Sequence, residues 1–432
     1  MIVNFSIKNF GPIKERQTLS FEADKSTHLE DAYIIKAGKL RLLKVALIYG
    51  PNASGKSTIL EALEFLRDLV LFPANKKTES LDFEPFLFDQ KTPEENSLIS
   101  IEFIKDKIRY YYEVELMKKA IVSEELFFWN PKKASLYKRT TNLSSQFTEI
   151  AFGSTIKIDN TFKRALEANT LWNNTVLGGY LKTNIDFKEL QSVVSWFKED
   201  LMPLVVIGTD LEDFVSNRIN SGKVQKSKVI EILKKADFNI SDIVIREEKK
   251  ELPDSLYEFI LKSMEESNRK MKSPELKKEF TTLDLELVHT VNGNSYSLPF
   301  VSESNGTRRY YGFAGLLALI LKNSMILPVD ELEASLHHDL YEHFLLSFLM
   351  NSKESQLIAT THNRELLNNK DIYRNDAIWF TDKNDDCATE LYSLADFDSS
   401  VVRDTTNVLN AYKSGKLGAK PNTEDYYLDL NS

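Results

Sequence analysis

A single cysteine, Cys387, stands in 432 residues. It excludes an internal disulfide framework and fits a reducing, cytoplasmic setting. Long apolar runs are also missing. The longest, Phe313–Leu321, is far short of the roughly 20 residues that cross a bilayer, so no membrane span is expected. The opening Met1-Ile2-Val3-Asn4-Phe5-Ser6-Ile7 alternates like a strand and lacks a signal peptide's apolar stretch and cleavage site. Positive charge is in deficit: 55 Lys and Arg against 64 Asp and Glu give a net charge of −9. That balance counts against broad nonspecific nucleic-acid binding, and DNA is not indicated as a partner by charge. No internal repeat, low-complexity tract or sustained heptad pattern is present, which excludes a solenoid and a long coiled-coil arm. What remains, 42% hydrophobic and 28% charged, is globular. The length suits one large α/β core with an insertion, or two domains.

The most informative stretch is Gly50-Pro51-Asn52-Ala53-Ser54-Gly55-Lys56-Ser57, preceded by the apolar run 42–49 and followed by Thr58-Ile59-Leu60-Glu61-Ala62-Leu63. A strand feeding such a turn aims backbone N–H groups into a concavity, and the following helix adds its positive end. The spacing G-x-x-x-x-G-K-S supplies Lys56 for β/γ-phosphates and the Ser57 hydroxyl for Mg²⁺. A bound nucleoside triphosphate is expected.

Strands are expected at 2–8 and 17–23 around the turn Asn9-Phe10-Gly11-Pro12, a loop over 24–40, a strand at 42–49 and a helix from Lys56 to about Phe72. Alternating segments between 99 and 151 predict an antiparallel ribbon, and residues 160–235 read as helical. The Lys/Glu-rich 246–280 reads as a solvated helical hairpin or lid. Strands return at 281–290 and 295–301 around Asn292-Gly293. Tyr110-Tyr111-Tyr112 alternates faces within its strand, so half of it is core; no stacking role is assigned to the rest.

Three further constellations carry chemistry. Met325-Ile326-Leu327-Pro328-Val329-Asp330-Glu331 reads as a buried strand whose end opens into a ligand crevice; Asp330 suits a metal and Glu331 a water-polarising base. Ser355–Thr361 is another apolar strand, ending at His362, an imidazole expected near a γ-phosphate. Ser304-Asn305-Gly306-Thr307 precedes a long apolar helix, an anion-ready N-terminus. His337, His338 and His343 lie at spacings that put no pair on one helix face, so no metal is assigned to them.

In this order the parts resemble the ABC-type ATPase head, the group that includes transporter nucleotide-binding domains and chromosome-maintenance and double-strand-break-repair ATPases. The resemblance runs from Ile2 to about Leu394. Lys8-Asn9-Phe10-Gly11-Pro12, Asp330-Glu331-Leu332-Glu333-Ala334-Ser335-Leu336-His337 and Asn410–Pro421 narrow it to the bacterial AAA15/RloA-like and abortive-infection ATPases of phage-defence loci. It implies an α/β fold: an ABC-type P-loop ATPase head with a mixed central sheet, an antiparallel β subdomain and an inserted helical lobe. The implied layout is an N-terminal ATPase lobe over 1–155, an inserted lid over 156–280, a C-terminal ATPase lobe over 281–395 and a tail over 396–432.

The resemblance further implies ATP and Mg²⁺ as cofactors and ATP hydrolysis; the rival reading is a sensor module in which hydrolysis is slow and the nucleotide holds an assembly together. Gly50, Asn52, Ala53, Ser54, Gly55, Lys56, Ser57 and Thr58 would bind nucleotide, Ser57 and Asp330 the metal, with Lys56, Glu331 and His362 catalytic. Ser304, Asn305, Gly306 and Thr307 match the signature that contacts the nucleotide of the other subunit, which implies a homodimer or higher oligomer closed on two nucleotides. Glu333–Leu336 matches the loop that crosses that interface. Gln90 is the best match for a metal-contacting glutamine. The 70 residues after His362 are too few for the nuclease domain fused to some members of that group, so a separate effector protein is expected. The alternative is a DNA-binding ATPase of repair or chromosome maintenance.

Overall fold

The computed structural model describes residues 1–251, 279–397 and 407–421. Contacts divide the chain into two units: Met1–Gly208 with Ile320–Ala334 and Phe344–Ser432, and Thr209–Leu319 with Ser335–His343. The region expected as one lid over 156–280 is thereby divided at Gly208.

The first unit opens with β1 (Ile2–Lys8), β2 (Gln17–Ser20), α1 (Glu30–Tyr33), β3 (Ile34–Ala37), β4 (Leu40–Leu43), β5 (Val45–Tyr49) and α2 (Lys56–Leu71). It continues with β6 (Ser97–Lys105), β7 (Ile108–Met117), β8 (Ala120–Trp129), β9 (Lys133–Asn142) and β10 (Phe147–Phe152), then α3 (Asn160–Asn169), α4 (Val176–Leu181) and α5 (Lys188–Ser195). The second unit holds α6 (Leu211–Asn220), α7 (Lys226–Lys235), β11 (Ile240–Glu251), β12 (Glu279–Val291), β13 (Asn294–Pro299) and nearly all of α8 (Asn305–Ile320). After it come β14 (Ile326–Val329), α9 (His338–Asn351), β15 (Gln356–Thr360), β16 (Ile378–Lys383), β17 (Thr389–Ser393) and α10 (Val408–Lys413).

The central sheet has the order β14-β15-β5-β16-β17, parallel except for β17. Every residue of β5, β14 and β15 is buried, the pattern of parallel strands covered on both faces. Because these three strands run the same way, Gly50, Asp330 and Thr361 all emerge at one edge, the C-terminal edge where open α/β sheets take ligands. The fold is mixed α/β with a central sheet, as expected.

Two expectations in this region need correction. The strand expected over 42–49 is interrupted at Lys44, whose buried ammonium donates to the carbonyls of Leu349 (3.1 Å) and Ser352 (2.7 Å) at the end of α9. A lysine there satisfies carbonyls that a helix C-terminus leaves unpaired. Residues 24–40, expected as loop, contain α1 and the β3–β4 hairpin. Their entry is pinned by buried Arg374, which donates to Asp24 Oδ1 (2.8 Å) and the Ser26 carbonyl (3.1 Å). Pairing between such distant residues has no local signature.

The second sheet of this unit is antiparallel, in the order β10-β9-β8-β7-β6-β1-β2. Tyr110 and Tyr112 face inward and Tyr111 outward, following the period of two. On the inner face Phe103 stacks on Trp196 at 4.1 Å and Tyr112 meets Phe197 edge-on at 5.8 Å. The same face buries Glu124 beside Arg139 at 3.7 Å, and Glu124 accepts from Tyr112 (2.9 Å), Tyr137 (2.6 Å) and the Val176 N–H (2.8 Å).

In the second unit β11, β12 and β13 form a three-stranded antiparallel sheet. Asn292 and Gly293 both take positive φ, 52° and 81°, between paired Val291 and Asn294, as a two-residue hairpin turn requires. Residues 246–251, expected in a helical hairpin, are strand, paired with β12 and tied by Arg246 to Glu286 at 2.7 Å. The rest of that expected hairpin, 252–278, lies outside the described residues.

Candidate active site

The first unit contributes the phosphate loop. Gly50 leaves β5 so close to β16 that a Cβ would lie 2.4 Å from Thr381 Oγ1 and 2.5 Å from its carbonyl oxygen. Gly55 takes φ 96°, and a Cβ there would lie 2.3 Å from Thr389 Oγ1. Both positions therefore require glycine. Between them the loop is braced by Ser54, whose hydroxyl lies 2.6 Å from Thr381 Oγ1 and whose carbonyl accepts from Thr389 Oγ1 at 2.9 Å. Asn52 and Ala53 are exposed at its crest, Ala53 with φ 62°. From Gly55, α2 runs inward on a buried stripe of Ile59, Leu60, Leu63, Leu66 and Val70. Thr58, in its first turn, lies 3.1 Å from where a Gly11 Cβ would stand.

Lys56 folds back on the loop, donating at 2.9 Å to the carbonyls of Gly50 and Pro51. Burial pushes its pKa down, and the carboxylates of Asp330, Glu331 and Glu333 push it up. A buried ammonium held by neutral carbonyls, under a glycine-shaped loop, suits an anionic ligand.

The Ser57 hydroxyl lies 3.0 and 2.9 Å from the two oxygens of Asp330. Thr360, the last residue of β15, donates to Asp330 Oδ1 at 2.5 Å and accepts from the Glu331 N–H at 2.8 Å. Ser57, Asp330 and Glu331 thus come together as their motifs imply, with Thr360 as the clasp. Sequence reasoning missed Thr360, because a threonine in an apolar strand looks like any β-branched residue; its place two residues before His362 was the available signal. Glu331 holds φ 50°, an uncommon conformation for a side chain of its kind that is over-represented at functional sites. Hard oxygen donors from Ser57 and Asp330 are the set Mg²⁺ accepts.

His362 is exposed at the end of β15, and its backbone N–H donates to Glu333 Oε1. Glu333 Oε2 is buried without a hydrogen-bond partner. Glu333 is thus a local strut for His362, a part the sequence did not reveal. Gln90 sits exposed in the loop beside Asp89, whose carboxylate pairs with Lys14 at 2.9 Å; among the described residues no hydrogen bond links Gln90 to the phosphate loop. The segment that follows Gln90 is held through buried Asn9, whose amide donates to the Thr92 (2.8 Å) and Glu95 (2.9 Å) carbonyls.

In the second unit, Ser304 caps α8. Its hydroxyl accepts from the Thr307 N–H at 3.1 Å and lies 2.8 Å from Thr307 Oγ1. Ser304 and Asn305 are exposed, and a Cβ on Gly306 would lie 3.2 Å from the Ser335 carbonyl oxygen. The helix therefore presents an exposed N-terminus with polar side chains, an anion-ready surface.

Among the described residues no helix is long and apolar enough to cross a membrane. No match to a curated protein was found. Similar solved structures include an Smc head bound to the C-winged helix domain of ScpA, with 13% identity, 91% of this chain and 97% of that chain covered and a TM-score of 0.47. An SMC head domain from Thermotoga maritima shows 14% identity, coverage of 91% and 98% and a TM-score of 0.40. An Smc head domain with an extended coiled coil bound to the C-terminal domain of ScpA, derived from Pyrococcus furiosus, shows 14%, 91% and 96%, and 0.40. Residues 45–368, well over half of the chain, match the family model AAA_21, described as "AAA domain, putative AbiEii toxin, Type IV TA system". The phosphate loop, the Asp330-Glu331 strand end and β15 all fall inside that match, and the chain belongs to the AAA_21 family of AAA-domain ATPases.

Proposed function

We propose that this chain binds and hydrolyses ATP as an ABC-type head, and that nucleotide-driven dimerisation makes it a switch controlling a separate effector in a bacterial anti-phage system. The observation that carries the reading is the clasp of Ser57, Asp330, Thr360 and Glu331 at one edge of three parallel strands. The family's description, with its putative AbiEii toxin and type IV toxin–antitoxin system, supports the defence setting and an abortive-infection grouping.

In this reading Lys56 and the loop amides neutralise the phosphates, and Ser57 and Asp330 hold Mg²⁺. The ion would supply charge neutralisation at the phosphate oxygens. Glu331 orients and polarises the attacking water, and among the described residues its carboxylate takes no hydrogen bond, which leaves it available. His362, steadied by Glu333, donates to the γ-phosphate. Ser304 and the Gly306 amide complete the site of a second copy. Phosphoryl transfer needs positioning and electrostatics rather than a covalent nucleophile, and these residues supply both.

The test is complementation. Lys56→Ala and Ser304→Arg are each expected to be inactive alone, and mixing the two proteins should restore part of the ATP turnover through one intact composite site. No recovery at any mixing ratio would overturn sharing between subunits.

A further inference from the structure

The antiparallel sheet brings together what the sequence kept apart. On the face opposite the aromatic core, Tyr111 of β7 pairs across from Phe127 of β8, Arg109 from Trp129, and Trp129 from Lys133 of β9. The Tyr111 and Phe127 rings lie 6.4 Å apart. The Lys133 ammonium sits over three rings, 4.4 Å from the centroid of Phe127 and 5.3 Å from those of Tyr111 and Trp129. The Arg109 guanidinium covers Trp129 at 4.9 Å. Arg16 and Lys138 flank the group, with side chains 46% and 57% exposed. Arg109 shares the strand and the face of Tyr111 two residues before it, and Lys133 joins them from across the strands.

The charges on this face have different partners. Arg109 pairs with Glu102, Arg16 with Glu113 and Lys138 with Glu125. Among the described residues Lys133 has no carboxylate partner; ring faces alone hold it. Such a contact is weak for an ammonium open to water. A phosphate can draw Lys133 away, and the rings it uncovers can take bases. Phosphate-binding cations beside stacking aromatics are the two components of single-strand recognition.

We propose that the outer face of β7, β8 and β9 binds single-stranded nucleic acid, with bases stacking on Tyr111, Phe127 and Trp129 and Lys133 and Arg109 meeting the backbone. The charge complementarity is local, set against a chain of net charge −9, so binding rests more on stacking than on long-range attraction.

The experiment is fluorescence anisotropy of labelled oligonucleotides about 20 long, oligo-dT, oligo-rU and a duplex, with the full chain in about 50 mM salt. The expected result is binding of the single strands in preference to the duplex, with quenching of tryptophan fluorescence. The oligo-dT and oligo-rU arms distinguish DNA from RNA. Trp129→Ala and Phe127→Ala should each weaken binding about tenfold or more, and Lys133→Glu should also flatten the salt dependence. Lys133→Glu is a surface change, and an unaltered melting curve for it excludes misfolding as the cause. No single-strand binding, equal binding of duplex, or affinity unchanged in both Lys133→Glu and Trp129→Ala would each overturn the proposal. Loss of a co-purifying protein in these variants, without oligonucleotide binding by the unaltered chain, would overturn it in favour of a protein-docking face.

Discussion

Ser57 and Asp330 meet through the serine hydroxyl, 3.0 and 2.9 Å from the two carboxylate oxygens. One begins α2 and the other follows β14, so the contact exists only because β5 and β14 deliver their ends to the same sheet edge. A hydroxyl and a carboxylate so paired are the oxygen donors that the proposed Mg²⁺ site needs, already side by side at that edge.

Asp330→Asn keeps the shape and removes the charge. ATP turnover titrated against Mg²⁺ should then require about 10–100-fold more metal, the scale on which partners of metal-bound groups act. An unchanged Mg²⁺ dependence would take Asp330 out of the metal site.

Thr360→Val preserves volume and removes the hydroxyl that serves Asp330 and the Glu331 N–H. Leaving a buried donor unmet costs about 1–3 kcal/mol, which denaturant titration should register. Thr360→Ser should recover most of that stability, together with turnover.

The two loop glycines should fail differently. In Gly55→Ala the new methyl meets the Thr389 side chain, whereas in Gly50→Ala it meets the Thr381 backbone oxygen as well as the hydroxyl. Thr389→Ala should therefore restore part of the melting temperature lost in Gly55→Ala. Thr381→Ala should restore little of that lost in Gly50→Ala.

Local order was legible and long-range pairing was not. The run into Gly50, the helix from Lys56 and the turn at Asn292-Gly293 follow from periodicity and glycine placement, and each is found. The break at Lys44 in the strand expected over 42–49 has no local sign, because its carbonyl partners at Leu349 and Ser352 lie at the end of a helix about three hundred residues on. Nothing local marks Glu124 and Arg139 as a pair, yet they neutralise each other inside the sheet. The strand end that carries Asp330 and Glu331 could be read from its apolar run; the hydroxyl that fastens them could not, since its contacts appear only when β15 lies beside β14.

Buried Glu124 should punish loss of its partner. Arg139→Met leaves the carboxylate without its compensating charge and should destabilise the fold by about 3–5 kcal/mol. Adding Glu124→Gln in the same chain should recover part of that loss in the same denaturant titration.

Lys56 also sets a pH dependence. Burial holds its pKa below the ordinary 10.5, so the unfolded chain binds this proton more tightly than the folded one. Below the folded pKa the burden on stability is full; it lifts as pH rises from there toward 10.5. Without nucleotide, Lys56→Met should therefore be more stable than the unaltered chain near neutral pH, with the gap closing as pH approaches 10.5. A gap that widens with pH would reverse the sign of the burial effect.

The central claim is that nucleotide closes two copies on each other and that Glu331 reopens them through hydrolysis. Light scattering of Glu331→Gln with ATP and Mg²⁺ tests it directly. The expected result is a stable species with the mass of two chains, formed with ATP but not ADP and with little turnover. A species that stays at one chain's mass in ATP, or a variant that hydrolyses ATP undiminished, would contradict the account.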